Sequence, residues 1–178
     1  MNLWGRVPAR LLYSFVQNKL KGLKMIHAQN DKVVALAGPV TIATNAATTA
    51  VVDVRGFGYA VFDIALPPAT ATNSSAKFGV LTLTEGDTTS SYAAATGFTG
   101  TTNSTAAAGE FVLPVQNNTS VAAVHRLYVD LKNRKRYLKL SVQAPASHTT
   151  IYAQCRLSRA ATAPDTDTER GNTLTVIG

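Results

Sequence analysis

Histidines and carboxylates are the residues of this chain best suited to catalysis or metal binding. His27, His125 and His148 lie far apart in the sequence, and none belongs to the grouping of His, Asp and Glu that a metal site or a nucleophile–base pair requires. We therefore expect surface or strand-edge positions for all three. Glu85 and Asp87 flank a glycine. A carboxylate pair hydrolyses glycosides only at a defined separation and in distinct environments, so we interpret these two as exposed acids of a turn.

Two further features of the sequence could have a chemical role. The segment RGFG at 55–58 lacks the glycine spacing of a dinucleotide- or phosphate-binding loop, and it predicts a tight turn or a bulge. Cys155 is the single cysteine, which excludes an internal disulfide and a zinc site made of thiolates. It is expected to be a small buried side chain. The sequence therefore predicts no enzyme active site, no metal site and no cofactor.

The densest group of charges is basic and lies between two predicted strands. With two neighbouring tyrosines, the candidate contact residues are Lys132, Arg134, Lys135, Arg136, Tyr128 and Tyr137. We predict a hairpin tip that contacts an acidic protein surface or phosphates, or alternatively a solvated turn whose charges prevent strand edges from pairing. Protein is favoured over nucleic acid because base-stacking aromatic residues are sparse. As exposed turn residues, Arg134 and Lys135 should tolerate replacement by Ser with a change in stability below ~0.5 kcal/mol.

The elements that position these residues are predicted to be strands. From residue 33, apolar residues recur at every second position, which is typical of half-buried antiparallel strands. The predicted strands are 49–55, 59–66, 77–85, 110–115, 124–131, 136–143 and 149–157, with loops at 67–75 and 96–109. Seven or eight short strands with frequent turns and no helix predict an all-β body, a single antiparallel β-sandwich of the jelly-roll kind. The sandwich is expected to span 33–160, followed by a C-terminal tail at 161–178.

The same alternation predicts which side chains are buried in the sandwich. Where apolar residues occupy every second position of a strand, they share one face, and that face is the one turned toward the core. The predicted core residues are Phe62, Ile64, Leu127, Val129, Leu138, Leu140 and Ile151.

Residues 1–32 are predicted to be an arm outside the sandwich. Residues 1–24 contain five basic residues and no acid, and their apolar residues fall at helical spacing, which predicts a basic amphipathic helix. The arm either binds a partner, is a targeting or membrane-surface segment, or is an extension from an early start codon, since Met25 offers a second initiation point. The remaining residues have a net charge of only +2 out of +7, which argues against a nucleic-acid binder. No apolar run approaches the ~20 residues of a membrane span.

Several segments resemble small structural proteins of tailed bacteriophages. In chain order they are RGFGYAVFDIAL, VLTLTEGDTTSSY, AGEFVLPV, LYVDLKNRKRYLKLSVQ and YAQCRLSRA, within residues 33–163. The most specific part is LYVDLKNRKRYLKL at 127–140. The resemblance implies a head cement or decoration protein, a jelly-roll domain that sits as a homotrimer on the outer shell at junctions between major capsid proteins.

Composition and resemblance together predict a virion structural protein on the capsid exterior, made in the host cytoplasm. Its expected partners are the major capsid protein and other copies of itself, with no small-molecule substrate. A surface of Thr, Ser, Ala and Asn with only 15% charged residues favours contact with other protein. The alternatives are a head–tail junction or tail component, and a carbohydrate-binding adhesion sandwich that would use Tyr128, Tyr137 and Tyr152.

Overall fold

The fold was analysed in a computed structural model, which describes residues 31–41, 46–72, 76–146, 148, 150–161 and 171. These residues form nine strands and contain no helix. The strands are β1 Lys32–Thr41, β2 Thr48–Asp53, β3 Tyr59–Leu66, β4 Val80–Gly86, β5 Ala93–Thr101, β6 Glu110–Val112, β7 Ala123–Asp130, β8 Tyr137–Gln143 and β9 Thr150–Ser158. The prediction of an all-β body is confirmed. The predicted helix of residues 1–24 and almost all of the predicted tail lie outside the described residues.

The nine strands form two sheets, and pairs of strands are nested in the sequence. The first sheet has the order β1-β9-β3-β7, and the second has the order β2-β8-β4-β5-β6. The first strand therefore pairs with the last, the second with the eighth, the third with the seventh, and the fourth with the fifth. The short β6 pairs in parallel with β5, which departs from the wholly antiparallel arrangement that the sequence predicts.

Both sheets contribute side chains to one hydrophobic core, because every second residue of their central strands points inward. Six of the seven predicted core residues are at most 1% exposed: Phe62, Ile64, Val129, Leu138, Leu140 and Ile151. The seventh, Leu127, is only partly buried, although it packs against the core. It belongs to β7, an edge strand of the first sheet that pairs with β3 alone among the described strands. Burial of each such side chain stabilises the fold by about 1.5–3 kcal/mol.

The sequence failed to predict two strands, β1 and β5. The segment 96–109 was expected to be a loop, but β5 extends to Thr101. Its sequence, AAATGFTGT, consists largely of small residues and shows little apolar alternation. β5 is a strand because β4 and β6 pair with its two edges, a tertiary context that local propensity does not reveal. At Gly100 a Cβ atom would lie 2.7 Å from the carbonyl oxygen of Leu81, so the close packing of this strand requires glycine.

The basic segment is a turn, but it is not the tip of a hairpin. β7 pairs with β3 in the first sheet, and β8 pairs with β2 and β4 in the second. The connection 131–136 therefore crosses from one sheet to the other. Alternation and turn residues indicate a strand, a turn and a second strand, but they do not show whether the two strands pair with each other.

Candidate partner-contact surface

The connection 131–136 is fixed against the connection between β2 and β3. The Leu131 N–H donates to the Gly58 carbonyl oxygen at 3.2 Å, and the Val54 N–H donates to the Arg136 carbonyl oxygen at 2.9 Å. Within the connection, the Arg134 N–H donates to the Leu131 carbonyl oxygen at 3.2 Å. The basic residues therefore project from a connection whose backbone is hydrogen-bonded at both of its ends.

Arg134 points back onto the second sheet and is only 19% exposed at its side chain. Its Nη2 donates to the Thr96 carbonyl oxygen at 3.0 Å, and its Nη1 lies 3.6 Å from Glu85 Oε1. Its guanidinium also stacks on the Phe98 ring, 5.3 Å from the ring centroid. The expectation that Arg134 is an exposed turn residue is therefore wrong. The sequence could not reveal this, because its contacts come from β4 and β5.

Lys135 and Arg136 each form an ion pair with a carboxylate of the same chain. Arg136 donates from Nε and Nη2 to Asp53, with 2.7 Å between Nη2 and Oδ2. This hydrogen bond holds the pKa of Asp53 below its usual value. The Lys135 Nζ lies 2.8 Å from Asp87 Oδ2, and this hydrogen bond raises the pKa of Lys135. Repulsion within the cluster is thus relieved by intramolecular acids and does not by itself require an acidic partner.

Lys132 differs from the other three cations of the segment. It is exposed, and its backbone N–H donates to Asp130 Oδ1 at 3.0 Å. Among the described residues its ammonium forms no ion pair. Lys132 is therefore available for contact with a partner, at little expected cost to the fold when it is replaced.

The structure separates the two candidate tyrosines. Tyr137 begins β8 in the second sheet and lies beneath the Arg136 guanidinium, 4.7 Å from ring centroid to Cζ. Tyr128 is 55% exposed in β7, on the outer face of the first sheet. There it lies beside Tyr59, with ring centroids 6.4 Å apart, and beside Arg126. The six predicted contact residues therefore belong to two surfaces. One is the end of the molecule formed by the connection 131–136, here called the basic end, and the other is the outer face of the first sheet.

A cleft of about 370 Å³ lies between the connections 54–58 and 131–136. Its lining residues are Val54, Arg55, Gly56, Phe57, Leu131, Arg134, Lys135 and Arg136. Sequence reasoning missed Arg55 and Phe57 as members of this site. They are about 80 residues from the basic cluster, and two strand pairings bring them to it: β2 with β8, where Asp53 lies opposite Tyr137, and β3 with β7, where Tyr59 lies opposite Asp130. Gly56 has φ of 86°, so the predicted glycine turn is confirmed.

The prediction of surface or strand-edge positions is wrong for His148, which is buried, whereas His125 lies partly buried in β7 at the edge of the first sheet. His148 is only 7% exposed, and His125 packs edge-on against Phe78 with 5.0 Å between ring centroids. His125 Nε2 is buried without a hydrogen-bond partner in the described part of the chain. Burial lowers the pKa of both histidines, and for His148 a hydrogen bond to the Pro67 carbonyl oxygen opposes that effect. His27 lies outside the described residues.

The other chemically suggestive residues have structural environments. Glu85 belongs to β4, and its side chain is only 16% exposed, so the prediction of an exposed turn acid is wrong for Glu85. Asp87 follows β4 and is 71% exposed at its side chain. Cys155 is buried, and burial raises the pKa of its thiol to about 12. No three His, Cys, Asp or Glu residues in the described ranges are grouped so that they could hold a metal ion.

No helix in the described part of the chain is long and apolar enough to cross a membrane.

Comparison with known proteins assigns no family to this chain. No known protein family matches the sequence, and a search among curated proteins finds no match.

Proposed function

We propose that this protein is a structural component of a virion, a jelly-roll β-sandwich that binds the outer head shell and stabilises it. The observation that carries the proposal is the nested strand pairing, in which β1 pairs with β9, β2 with β8, β3 with β7 and β4 with β5. Folding such a ribbon of paired strands into two sheets produces a jelly roll. Jelly rolls are the architecture of many viral capsid domains. The phage resemblance within residues 33–163 points in the same direction.

The proposed mechanism is that of a clamp, and it needs no catalytic group. A protein that binds only the assembled shell stabilises that shell by mass action. In a homotrimer, three weak contacts with major capsid proteins would act together, since binding of the first raises the effective concentration of the others. A stiff body suits this role, and the shared core of the two sheets is consistent with one. On this proposal the protein is located on the capsid exterior and is not an enzyme.

The test is binding to heads assembled without this protein from the shell protein of the same virion. After mixing, heads and bound protein are separated from free protein by sedimentation through a sucrose cushion. We expect saturable co-sedimentation with a fixed ratio to the shell protein, and a higher temperature of head disruption. A protein that stays in the supernatant at all concentrations, or binds without changing head stability, contradicts the cement proposal.

A carbohydrate-binding function is the second candidate, because jelly rolls also occur in lectins. The observation that favours it is the outer face of the first sheet, where Tyr128 and Tyr152 are 55% and 38% exposed. Between them lies a polar group in which Arg126 pairs with Asp63, and Gln154 approaches the same carboxylate. Aromatic faces beside such polar groups can contact sugar rings. Glycan-array binding that is lost in Tyr128→Ala would favour this function, whereas no glycan binding would exclude it.

A further inference from the structure

We infer that the cleft between the connections 54–58 and 131–136 binds an acidic peptide segment of a protein partner. The inference deepens the proposed function, because it names the part of the molecule that receives a partner and the chemistry of what it receives. It also changes the candidate site, since the cleft includes Arg55 and Phe57 and excludes Lys132 and Tyr128.

The cleft combines an apolar floor with a cationic rim. Val54 and Leu131 are buried at 5% and 7% exposure, and Phe57 is partly buried against the core. The charged residues that line the cleft are Arg55, Arg134, Lys135 and Arg136, and no acid is among the lining residues. A small inorganic anion would use only such a rim. A peptide with carboxylates beside an apolar side chain would use both the rim and the floor.

The acids that pair with the rim hold its cations in place without lining the cleft. Asp53 accepts two hydrogen bonds from the Arg136 side chain, and Asp87 pairs with Lys135. Charge-assisted bonds of this kind fix side chains before a ligand arrives, which lowers the ordering cost of binding. Three carboxylates, with Glu85 at Arg134, thus balance three of the four cations.

Arg55 is the rim cation that forms no direct ion pair among the described residues, although its charge also acts on the nearby Asp53 carboxylate. It is exposed, and its side chain forms no direct hydrogen bond or ion pair within the described residues. Its backbone N–H donates to Asp53 Oδ1 at 3.0 Å, which fixes the backbone next to Gly56. The positive charge of Arg55 therefore remains available for a carboxylate of the partner.

The experiment uses the full chain and a synthetic probe, an end-blocked fluorescent octapeptide that alternates aspartate with leucine. Binding is followed by fluorescence anisotropy at low salt, where exposed charges are least screened. We compare Arg55→Ser with Lys132→Ser, because both remove one exposed cation at the same end of the molecule and only Arg55 lines the cleft. We expect Arg55→Ser to weaken binding about tenfold, as for loss of one charged hydrogen bond, and Lys132→Ser to leave it within about twofold.

Two further probes test the floor and the rim separately. Replacing the leucines of the probe by serine should weaken binding, and replacing its aspartates by asparagine should abolish it. Equal losses of affinity in Arg55→Ser and Lys132→Ser would mean diffuse electrostatic attraction and would overturn the inference. It would also be overturned if the unmodified chain did not bind the probe, or if it bound the serine-substituted probe as tightly as the leucine probe. Thermal unfolding of Arg55→Ser should match that of the unmodified chain, so that a loss of binding is not a loss of fold. A protein that binds heads but not the probe retains the proposed function and loses this cleft.

Discussion

At the scale of single residues, Arg134 joins three parts of the structure with one guanidinium. It reaches Glu85 in β4, the Thr96 carbonyl oxygen in β5 and the Phe98 ring. Arginine suits this position because its planar group can donate in several directions and stack at the same time. The residue therefore stabilises the basic end of the molecule from within.

We predict that Arg134→Ser destabilises the protein by about 2 kcal/mol, from the loss of a charged hydrogen bond and a cation–π contact. The control is Lys132→Ser, which removes the same charge two residues away and should change the free energy of unfolding by less than ~0.5 kcal/mol. Urea unfolding followed by circular dichroism measures both. Identical midpoints for the two variants would show that the contacts of Arg134 add nothing to stability.

The partly buried His125 and the buried His148 predict a dependence of stability on pH. Because burial lowers the pKa of His125 and His148, the unfolded chain binds protons at a higher pH than the folded protein does. Their contribution is complete above the ordinary histidine value of 6.5 and is lost as pH falls below it. Asp53 affects stability in a separate and lower pH range. Its pKa is lowered by the hydrogen bond from Arg136, so its contribution is lost only as pH falls below 3.8.

Urea unfolding between pH 7.5 and pH 5 tests this dependence, and we expect the midpoint to fall as pH decreases. In the double variant His125→Gln/His148→Gln, the midpoint should change less over the same range, because neither side chain can take up a proton. A flat profile for the unmodified protein would contradict a lowered pKa for His125 and His148.

Residue-level prediction from the sequence succeeded where local pattern decides the environment. Phe62, Ile64, Leu138 and Leu140 are buried because each lies on the apolar face of an alternating strand. It failed for Arg134, whose environment is formed by residues about 35 to 50 positions earlier. Side-chain type alone favours exposure for an arginine, and only the assembled sheet shows otherwise.

At the scale of elements, β5 is a strand that is stabilised by pairing with its neighbours and not by its own sequence pattern. It lies between β4 and β6, and a side chain at Gly100 would collide with the Leu113 side chain and the Leu81 backbone. Strands such as β3 and β8 were predictable because their own residues alternate. β5 was not, because alanine, glycine and threonine give no periodic signal.

We predict that Gly100→Ala destabilises the protein by about 1–3 kcal/mol, since the added Cβ would lie 2.5 Å from Leu113 Cδ2 and 2.7 Å from the Leu81 carbonyl oxygen. The control is Gly38→Ala in β1, where a Cβ atom would meet nothing within 4 Å. The control should be neutral or slightly stabilising, because alanine lowers the entropy of the unfolded chain. Differential scanning calorimetry compares the two, and equal melting temperatures would show that β5 can move aside.

At the scale of the whole molecule, the described core residues all follow the predicted N-terminal arm in the sequence. The first of these core residues is Ala37, and the last is Leu157. We predict that a chain starting at Met25 unfolds at the same temperature as the full chain. A decrease of many degrees would show that residues 1–24 pack on the sandwich.

The overall class of fold was predictable, whereas the order of strands was not. Regular alternation and frequent turns indicate two half-buried sheets, and the sheets are present. The pairing of β1 with β9, however, joins residues more than 100 positions apart, and no local signal records it. The same is true of the cleft, whose two sides come from the connections 54–58 and 131–136.

The pairing of β1 with β9 also has a mechanical consequence. Lys32 lies opposite Leu157, so the chain enters β1 and leaves β9 at the same end of the first sheet. A pull applied at Lys32 and Leu157 would separate the two strands one hydrogen bond after another, at low force. A load applied along the strands, from the basic end to the opposite end, would strain many hydrogen bonds at once. The first sheet would therefore be weak when pulled at these two strand ends and stiff when loaded along its strands.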